Sequence, residues 1–322
     1  MAEAAQSVRF VTIDSHNEGQ RVDNFLITFL KGVPKTLVYR IIRKGEVRVN
    51  KKRVKAVYRL QSGDVLRVPP VRVAEKAEDM PVSKELAEAL EAAILKETDD
   101  WLVINKPQGL SVHAGSGIQG GLIESLRQIR PEGSYLELVH RLDKDTSGCL
   151  LIAKNRKALN FLQEQLKAKA FRKKYHALAV GRWPNAVTEI DAPLKKHDIG
   201  GRERVVKVDP KEGKASLTRF RILKRLDAKG VACTLVEAEP VTGRTHQIRV
   251  HAQSIGHSLV GDVKYGDDKV HQHFKGLGFK RLFLHAASLG FPEPESGIFV
   301  EIQAPYESSL KSILDRLTEL KR

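Results

Sequence analysis

Between two apolar runs, Leu136 to Val139 and Cys149 to Ala153, lies the nonapeptide His140, Arg141, Leu142, Asp143, Lys144, Asp145, Thr146, Ser147, Gly148. The β-branched and Leu-rich flanks read as buried strands, so the fold must hold a short charged connection rigidly between two core strands. Two carboxylates, two cations, an imidazole and two hydroxyls share this loop, and Gly148 permits a tight turn. Most charged loops are solvated hairpin connections. One carried on two buried strands is the kind of place where catalytic side chains are held.

The 322 residues are enough for two domains, and 41 % apolar residues supply a core. A formal net charge of +16 favours a polyanionic partner such as nucleic acid over an acidic metabolite. Cys149 and Cys233 are far apart in apolar runs, which argues against a disulfide framework or a Cys-based zinc site and fits a reducing cytoplasm. The N-terminal MAEAAQSVRF lacks the apolar centre of an export signal, and no run of about 18 apolar residues occurs. A cytoplasmic protein without a membrane span is expected.

The basic excess is concentrated. Residues 21–68 carry 13 Lys or Arg against Asp23, Glu46 and Asp64. Val22, Phe25, Leu26, Phe29 and Leu30 mark one helical face, and Leu37, Val38, Ile41 and Ile42 mark a second, with Gly45 as its cap. A solvated face intersperses both signs, whereas one-sign clustering on a helix pair is the footprint of phosphate contacts. Lys35, Arg40, Arg43, Lys44, Arg48, Lys51, Lys52 and Arg53 are the candidates for such contacts. With its RVDNFL start and RKGEVRVNKKRV centre, this segment resembles the S4 RNA-binding domain, and through that resemblance these cations become candidate RNA-binding residues. Pro69, Pro70 and a charge-mixed stretch read as a connector, with a short helix over 83–95 at its end. The expected organisation is an S4-like domain over 1–70, a linker over 71–90 and a catalytic domain over 91–322.

Beyond the connector, strands are predicted at 101–104, on both sides of the nonapeptide, and at 175–180, 204–208, 215–223, 231–238, 282–290 and 298–303. Helices are predicted at 122–129, 155–169, 245–255 and the C-terminus. Strands in meander-like order with few helices give an α+β class with a mixed, largely antiparallel sheet, preceded by a small α/β S4 domain. No Gly-rich phosphate loop supports a Rossmann reading.

Several chemistries fail on their own requirements. Asp145, Thr146, Ser147, Gly148 spell the aspartic-protease D-T-S-G, but that reaction needs two such carboxylates and no second copy exists. Ser288, in A-x-S-x-G, lies inside a strand pattern without the strand-to-helix elbow of a serine hydrolase. His246 and His251 are five apart and miss the zincin spacing, while His271 and His273 sit in a Lys-rich loop. No metal is expected. Asp143 and Asp145 could flank a glycosidic bond, but sugar sites present aromatic platforms and this chain is only 6 % aromatic.

His140, Arg141, Leu142, Asp143 and the following Thr-Ser-Gly match the H-R-L-D-x-x-T-S-G signature of large ribosomal subunit pseudouridine synthases of the RluA type. Three further blocks agree in order: Asn105, Lys106, Pro107 with Gly109, Val112 and His113; Lys173, Lys174, Tyr175 with Ala177 to Gly181; and Gly243 to His251. From about residue 90 to 305 the chain resembles that family, which implies the pseudouridine synthase fold. It also implies isomerisation of specific uridines to pseudouridine in RNA, above all 23S ribosomal RNA of the large subunit, by a monomer that uses no cofactor or metal. A non-catalytic RNA-binding or ribosome-assembly factor that kept the fold is the alternative.

By the resemblance, Asp143 is the essential carboxylate, Arg249 its cationic partner, Tyr175 the aromatic that packs on the uracil, and Arg141 the residue that fills the gap left by a flipped nucleotide. A nearby cation favours an ionised carboxylate, and an ordinary phenol is a poor base at neutral pH, so stacking is the better reading of Tyr175. His140, Thr146 and Ser147 read as loop-holding groups and Asp145 as a brace of the turn. Lys106, Lys173, Lys174 and Arg244 are further candidates for phosphate contacts.

Overall fold

The structure, a computed structural model, describes residues 7–30, 33–71, 81–113, 120–131, 133–198 and 204–320. The chain divides into two compact units, Met1–Pro81 and Val82–Arg322. The first comprises β1 (Arg9–Thr12), α1 (Val22–Phe29), α2 (Lys35–Arg43), β2 (Arg48–Val49), β3 (Lys52–Arg53) and β4 (Val65–Val68). Its strands form one antiparallel sheet in the order β1-β4-β2-β3. The apolar faces read from the sequence, including Leu26, Leu30, Val38 and Ile42, close on Leu66 and Val68 to make a core of their own. Asn50 and Lys51 hold φ of 49° and 67°, the left-handed pair that a two-residue hairpin turn between β2 and β3 needs.

The second unit opens with α3 (Lys84–Ala92), β5 (Ile94–Glu97), β6 (Trp101–Lys106), α4 (Leu122–Ile129), β7 (Glu137–Leu138), β8 (Ser147–Ala153), α5 (Arg156–Lys167) and β9 (Arg172–Val180). It continues through β10 (Glu189–Asp191), β11 (Leu194–Asp198), β12 (Arg204–Val208), β13 (Leu217–Ala228), β14 (Val231–Pro240), α6 (Gln247–Ser254) and α7 (Asp268–Gly276). The last elements are β15 (Leu284–Pro292), β16 (Phe299–Gln303), α8 (Ser308–Asp315) and β17 (Thr318–Glu319).

An 11-stranded sheet runs β10-β13-β14-β9-β15-β8-β6-β5, with β7, β16 and β17 pairing at its sides, while β11 and β12 form a separate hairpin. Among the described residues only β8 and β15 pair in parallel. The α+β class with a largely antiparallel sheet is therefore the observed one. The expected 71–90 linker is too long at its C-terminal end, because α3 belongs to the second unit and buries Leu90 in that unit's core. Ser83 caps this helix by accepting the Leu86 N–H. His271 and His273 lie on α7 rather than in a loop: Asp267 caps that helix and Phe274 anchors it.

Alternation along β9 sorts the two faces of the sheet. Ala177 and Ala179 pack with Ile248 and Ala252 of α6. Leu178, one residue out of phase, packs with Phe274 of α7 and Leu310 of α8. Tyr175 therefore faces the α6 side, and Lys174 and His176 face the other. At the join of β8 and β15, Gly148 has φ of 107°, and a Cβ there would lie 2.3 Å from the Ala286 carbonyl oxygen. Only glycine allows that close approach, so the last residue of the nonapeptide sets how near the charged loop stands to β15 and β9. No helix among the described residues is long and apolar enough to cross a membrane.

Candidate active site

The nonapeptide opens into a cleft of about 770 Å³ lined also by Lys173 and Tyr175 of β9 and by the turn that leads into α6. Leu142 is buried in the core and anchors the loop, leaving the Asp143 side chain 32 % exposed at the cleft wall. The backbone turn is closed by the Thr146 N–H, which donates to the Asp143 carbonyl at 3.1 Å. Beneath it, the fully buried Lys106 ammonium donates to the carbonyls of Pro107, Leu110 and Lys144 at 2.8, 2.8 and 3.0 Å. Three donors meet three acceptors. Burial lowers its pKa to about 8, with Glu307 as the largest opposing influence, so it still carries its charge at neutral pH.

Other loop residues are held as firmly. The His140 Nε2 accepts the Leu151 N–H at 3.2 Å, and burial pushes this imidazole down to about 3, so it is a neutral acceptor. The Ser147 hydroxyl bonds to His285 Nδ1 and accepts from Arg281 Nη2, both at 2.9 Å, while Arg281 pairs with Glu307. These contacts fix the loop from behind and leave Asp143 facing the cleft. Asp145 does not line the cleft and lies instead within electrostatic reach of Lys106 and Arg281.

Arg249, the third residue of α6, has a side chain only 7 % exposed. Its Nη1 stands 4.0 Å from Asp143 Oδ2, the outer edge of an ion pair. Its stronger partner is Asp262, with Nε–Oδ2 and Nη2–Oδ1 both at 2.7 Å. Asp262 also accepts the backbone N–H of Lys264 and Tyr265, and the guanidinium lies 4.9 Å from the centre of the Tyr265 ring. Burial works against the charge of Arg249, but the Asp262 bonds outweigh it and its pKa is raised. The site thus has a fixed cation pointing one free edge at Asp143. Tyr175 sits between two apolar clusters, and burial together with the neighbouring Asp143 charge pushes its phenol well above the ordinary value of 10.0. The hydroxyl stays protonated and the ring is available as an apolar wall.

Asp143, Tyr175, Arg249 and Arg141, quoted from three separate sequence blocks, meet at this one cleft, with Arg141 exposed along its wall. Lys173 and Arg244 also line it. Two candidates for phosphate contacts are corrected: Lys106 is buried and spent on carbonyls, and Lys174 alternates to the opposite face, where its Nζ lies 3.9 Å from Glu301. Lys35, Arg40, Arg43, Lys44, Arg48, Lys51, Lys52 and Arg53 are all exposed on the first unit. Asp262 and Tyr265 carry no signal in the sequence, and His246 enters there only as a rejected metal ligand and as one member of the Gly243 to His251 block. The run Gly261, Asp262, Val263, Lys264, Tyr265, Gly266 reads as an ordinary polar turn, and nothing in its spacing points to α6.

Because Arg249 is buried, removing its partner leaves an uncompensated interior charge. Asp262→Ala is expected to destabilise the protein by about 3–5 kcal/mol in denaturant unfolding. A loss below about 1 kcal/mol would contradict this reading of the pair.

Residues 100–254 match the family model described as RNA pseudouridylate synthase, and residues 20–66 match that of the S4 domain. The chain is 52 % identical over 317 residues to "Ribosomal large subunit pseudouridine synthase C" of Haemophilus influenzae, covering 98 % of this chain and 97 % of the relative. It is also 52 % identical over 315 residues to the protein of that name from Escherichia coli, covering 97 % of each. The solved structure of human RNA pseudouridylate synthase domain containing 1 superposes with a TM-score of 0.60 at 28 % identity, covering 74 % of this chain and 91 % of that one. The chain belongs to the RNA pseudouridylate synthase family, as an enzyme of the RluA type that carries an S4 domain.

Proposed function

We propose that the chain converts specific uridines of large-subunit ribosomal RNA to pseudouridine, with Asp143 as the essential carboxylate. The observation that carries this reading is the convergence of Asp143, Tyr175 and Arg249 on a single cleft. In the reaction the N1–C1′ bond breaks, the uracil turns, a C5–C1′ bond forms, and the proton lost from C5 is balanced by one gained at N1. Atoms and electrons balance within the nucleotide, so the net change demands no oxidant, reductant or nucleotide triphosphate. Stacked bases hide C1′ and C5, so the target nucleotide must leave the stack, at a cost of a few kcal/mol. Arg141, a planar cation at the cleft wall, is suited to fill the gap. Tyr175 packs on the uracil, and its raised pKa supports a stacking role over proton abstraction.

The naming of the curated relatives supports ribosomal RNA as the substrate. The eight candidate cations, all exposed on the first unit, supply phosphate contacts in this reading, and residues 1–70 act as the RNA-binding part. In this reading the chain works as a monomer in the cytoplasm, and the relatives' naming for a ribosomal RNA enzyme supports that compartment. The non-catalytic alternative leaves unexplained a carboxylate held beside a buried arginine.

Asp143→Asn is expected to keep RNA affinity and to lose roughly 10³-fold or more of pseudouridine formation, while Asp145→Asn stays within roughly tenfold of wild type. Equal losses for the two would contradict the separation of their roles. Replacing Arg40, Arg43 and Lys44 together by Gln is expected to weaken RNA binding and to flatten the plot of log affinity against log salt by roughly 2 to 3 units of slope. An unchanged slope would argue against phosphate contacts by that helix.

A further inference from the structure

The turn before α6 holds His246 with φ of 54° and ψ of 20°, a left-handed conformation that a non-glycine residue keeps only where its surroundings impose it. Gln247 imposes it: its Oε1 accepts from the Arg244 N–H and bonds to the Thr242 hydroxyl, and its Nε2 donates to the Leu217 carbonyl and the Thr218 hydroxyl. The imidazole is thereby carried between two groups. Its Nδ1 lies 2.7 Å from the Tyr265 hydroxyl, and its Nε2 lies 3.8 Å from Asp143 Oδ2.

The Tyr265 contact couples the His246 tautomer to the bonds that the Tyr265 hydroxyl makes. That hydroxyl oxygen already accepts the Val206 N–H at 3.1 Å, and the arrangement that uses both its acceptor and its donor places its own proton on His246 Nδ1. A ring that accepts at Nδ1 carries its hydrogen at Nε2, the atom that faces Asp143. Burial lowers the pKa of this imidazole, against the pull of Asp143 itself, and Arg249 and Lys264 act in the same direction as burial. The ring is neutral, and its Nε2–H is a donor without a positive charge.

We propose that His246 is a positioning residue for the isomerisation: its Nε2–H closes on Asp143 when RNA enters the cleft and fixes the carboxylate rotamer, with Tyr265 holding the required tautomer. The separation of 3.8 Å is longer than a hydrogen bond, and such contacts tighten in the substrate complex. Arg249, already committed to Asp262, approaches the same Oδ2, so both groups converge on one carboxylate oxygen. This inference rests on the reading of Asp143 as the essential carboxylate.

The test uses the full-length protein and an unmodified large-subunit ribosomal RNA transcript. His246→Ala is expected to lower kcat about 10- to 100-fold, the effect of losing one hydrogen bond to a charged group, with KM within about twofold. His246→Gln, whose amide N–H reaches the place of Nε2–H, is expected to recover most of the lost kcat. Nitrogen-15 NMR of the imidazoles is expected to show His246 neutral with its proton on Nε2, and Tyr265→Phe to shift it toward a mixture of tautomers. A His246→Ala enzyme with wild-type kcat beside an inactive Asp143→Asn enzyme would overturn this inference alone. So would equal impairment of the Ala and Gln variants, or a proton on Nδ1 in the wild-type spectrum. An active Asp143→Asn enzyme would overturn the reading of Asp143 and the role of His246 together.

Discussion

Arg249 and Asp262 form a bidentate pair whose side chains are 7 % and 0 % exposed, and the arrangement of the cleft depends on it. Taking both charges out of water costs several kcal/mol per ion, which two short hydrogen bonds and the backbone N–H groups of Lys264 and Tyr265 offset. In exchange for that cost the guanidinium cannot swing. One edge is fixed to Asp262, one face lies against Tyr265, and the remaining Nη1 points at Asp143. A cation free to move would follow the RNA phosphates. Here it is pinned to the protein, and the carboxylate it faces stands on a loop that is braced from behind by Lys106, His140 and Ser147.

How much of this could be read from the sequence varies with the kind of interaction. The nonapeptide is legible because apolar, Leu-rich runs on both sides mark buried strands, and Gly148 is legible as a turn residue. Its actual task, letting β8 approach the backbone of Ala286, is a contact between residues 138 apart that no local pattern contains. Helical spacing puts Arg249 on α6, but its main partner is hidden, because Asp262 sits in a turn whose composition is that of any surface loop. Lys106 ends a strand of Trp and aliphatic residues, and that apolar company was a usable sign that its ammonium is buried. Lys174 differs from Lys173 by one position, and alternation along a strand already sends one of them away from the cleft. In α7 the polar run Asp268 to His273 hid the helix, since only Val270 and Phe274 mark its buried side.

The two aspartates of the loop show how position rather than composition assigns a role. Two residues apart and identical in chemistry, they have different neighbours: Asp143 faces the cleft, His246 and Arg249, and Asp145 faces the buried cations Lys106 and Arg281. In the proposed function the first acts on the substrate and the second holds the loop. An isomerisation suits such a site, because it asks the protein for placement, charge and exclusion of the base stack rather than for an external reactant.

The most direct measurement of the central claim is release of the C5 hydrogen from unmodified large-subunit ribosomal RNA carrying isotope at C5 of its uridines, since that bond must break whenever uracil is reattached through carbon. The wild-type protein is predicted to release isotope in a fixed ratio to the pseudouridine formed, and to do so at a small set of uridines. No release, from either the free RNA or precursor large-subunit particles, would contradict the account.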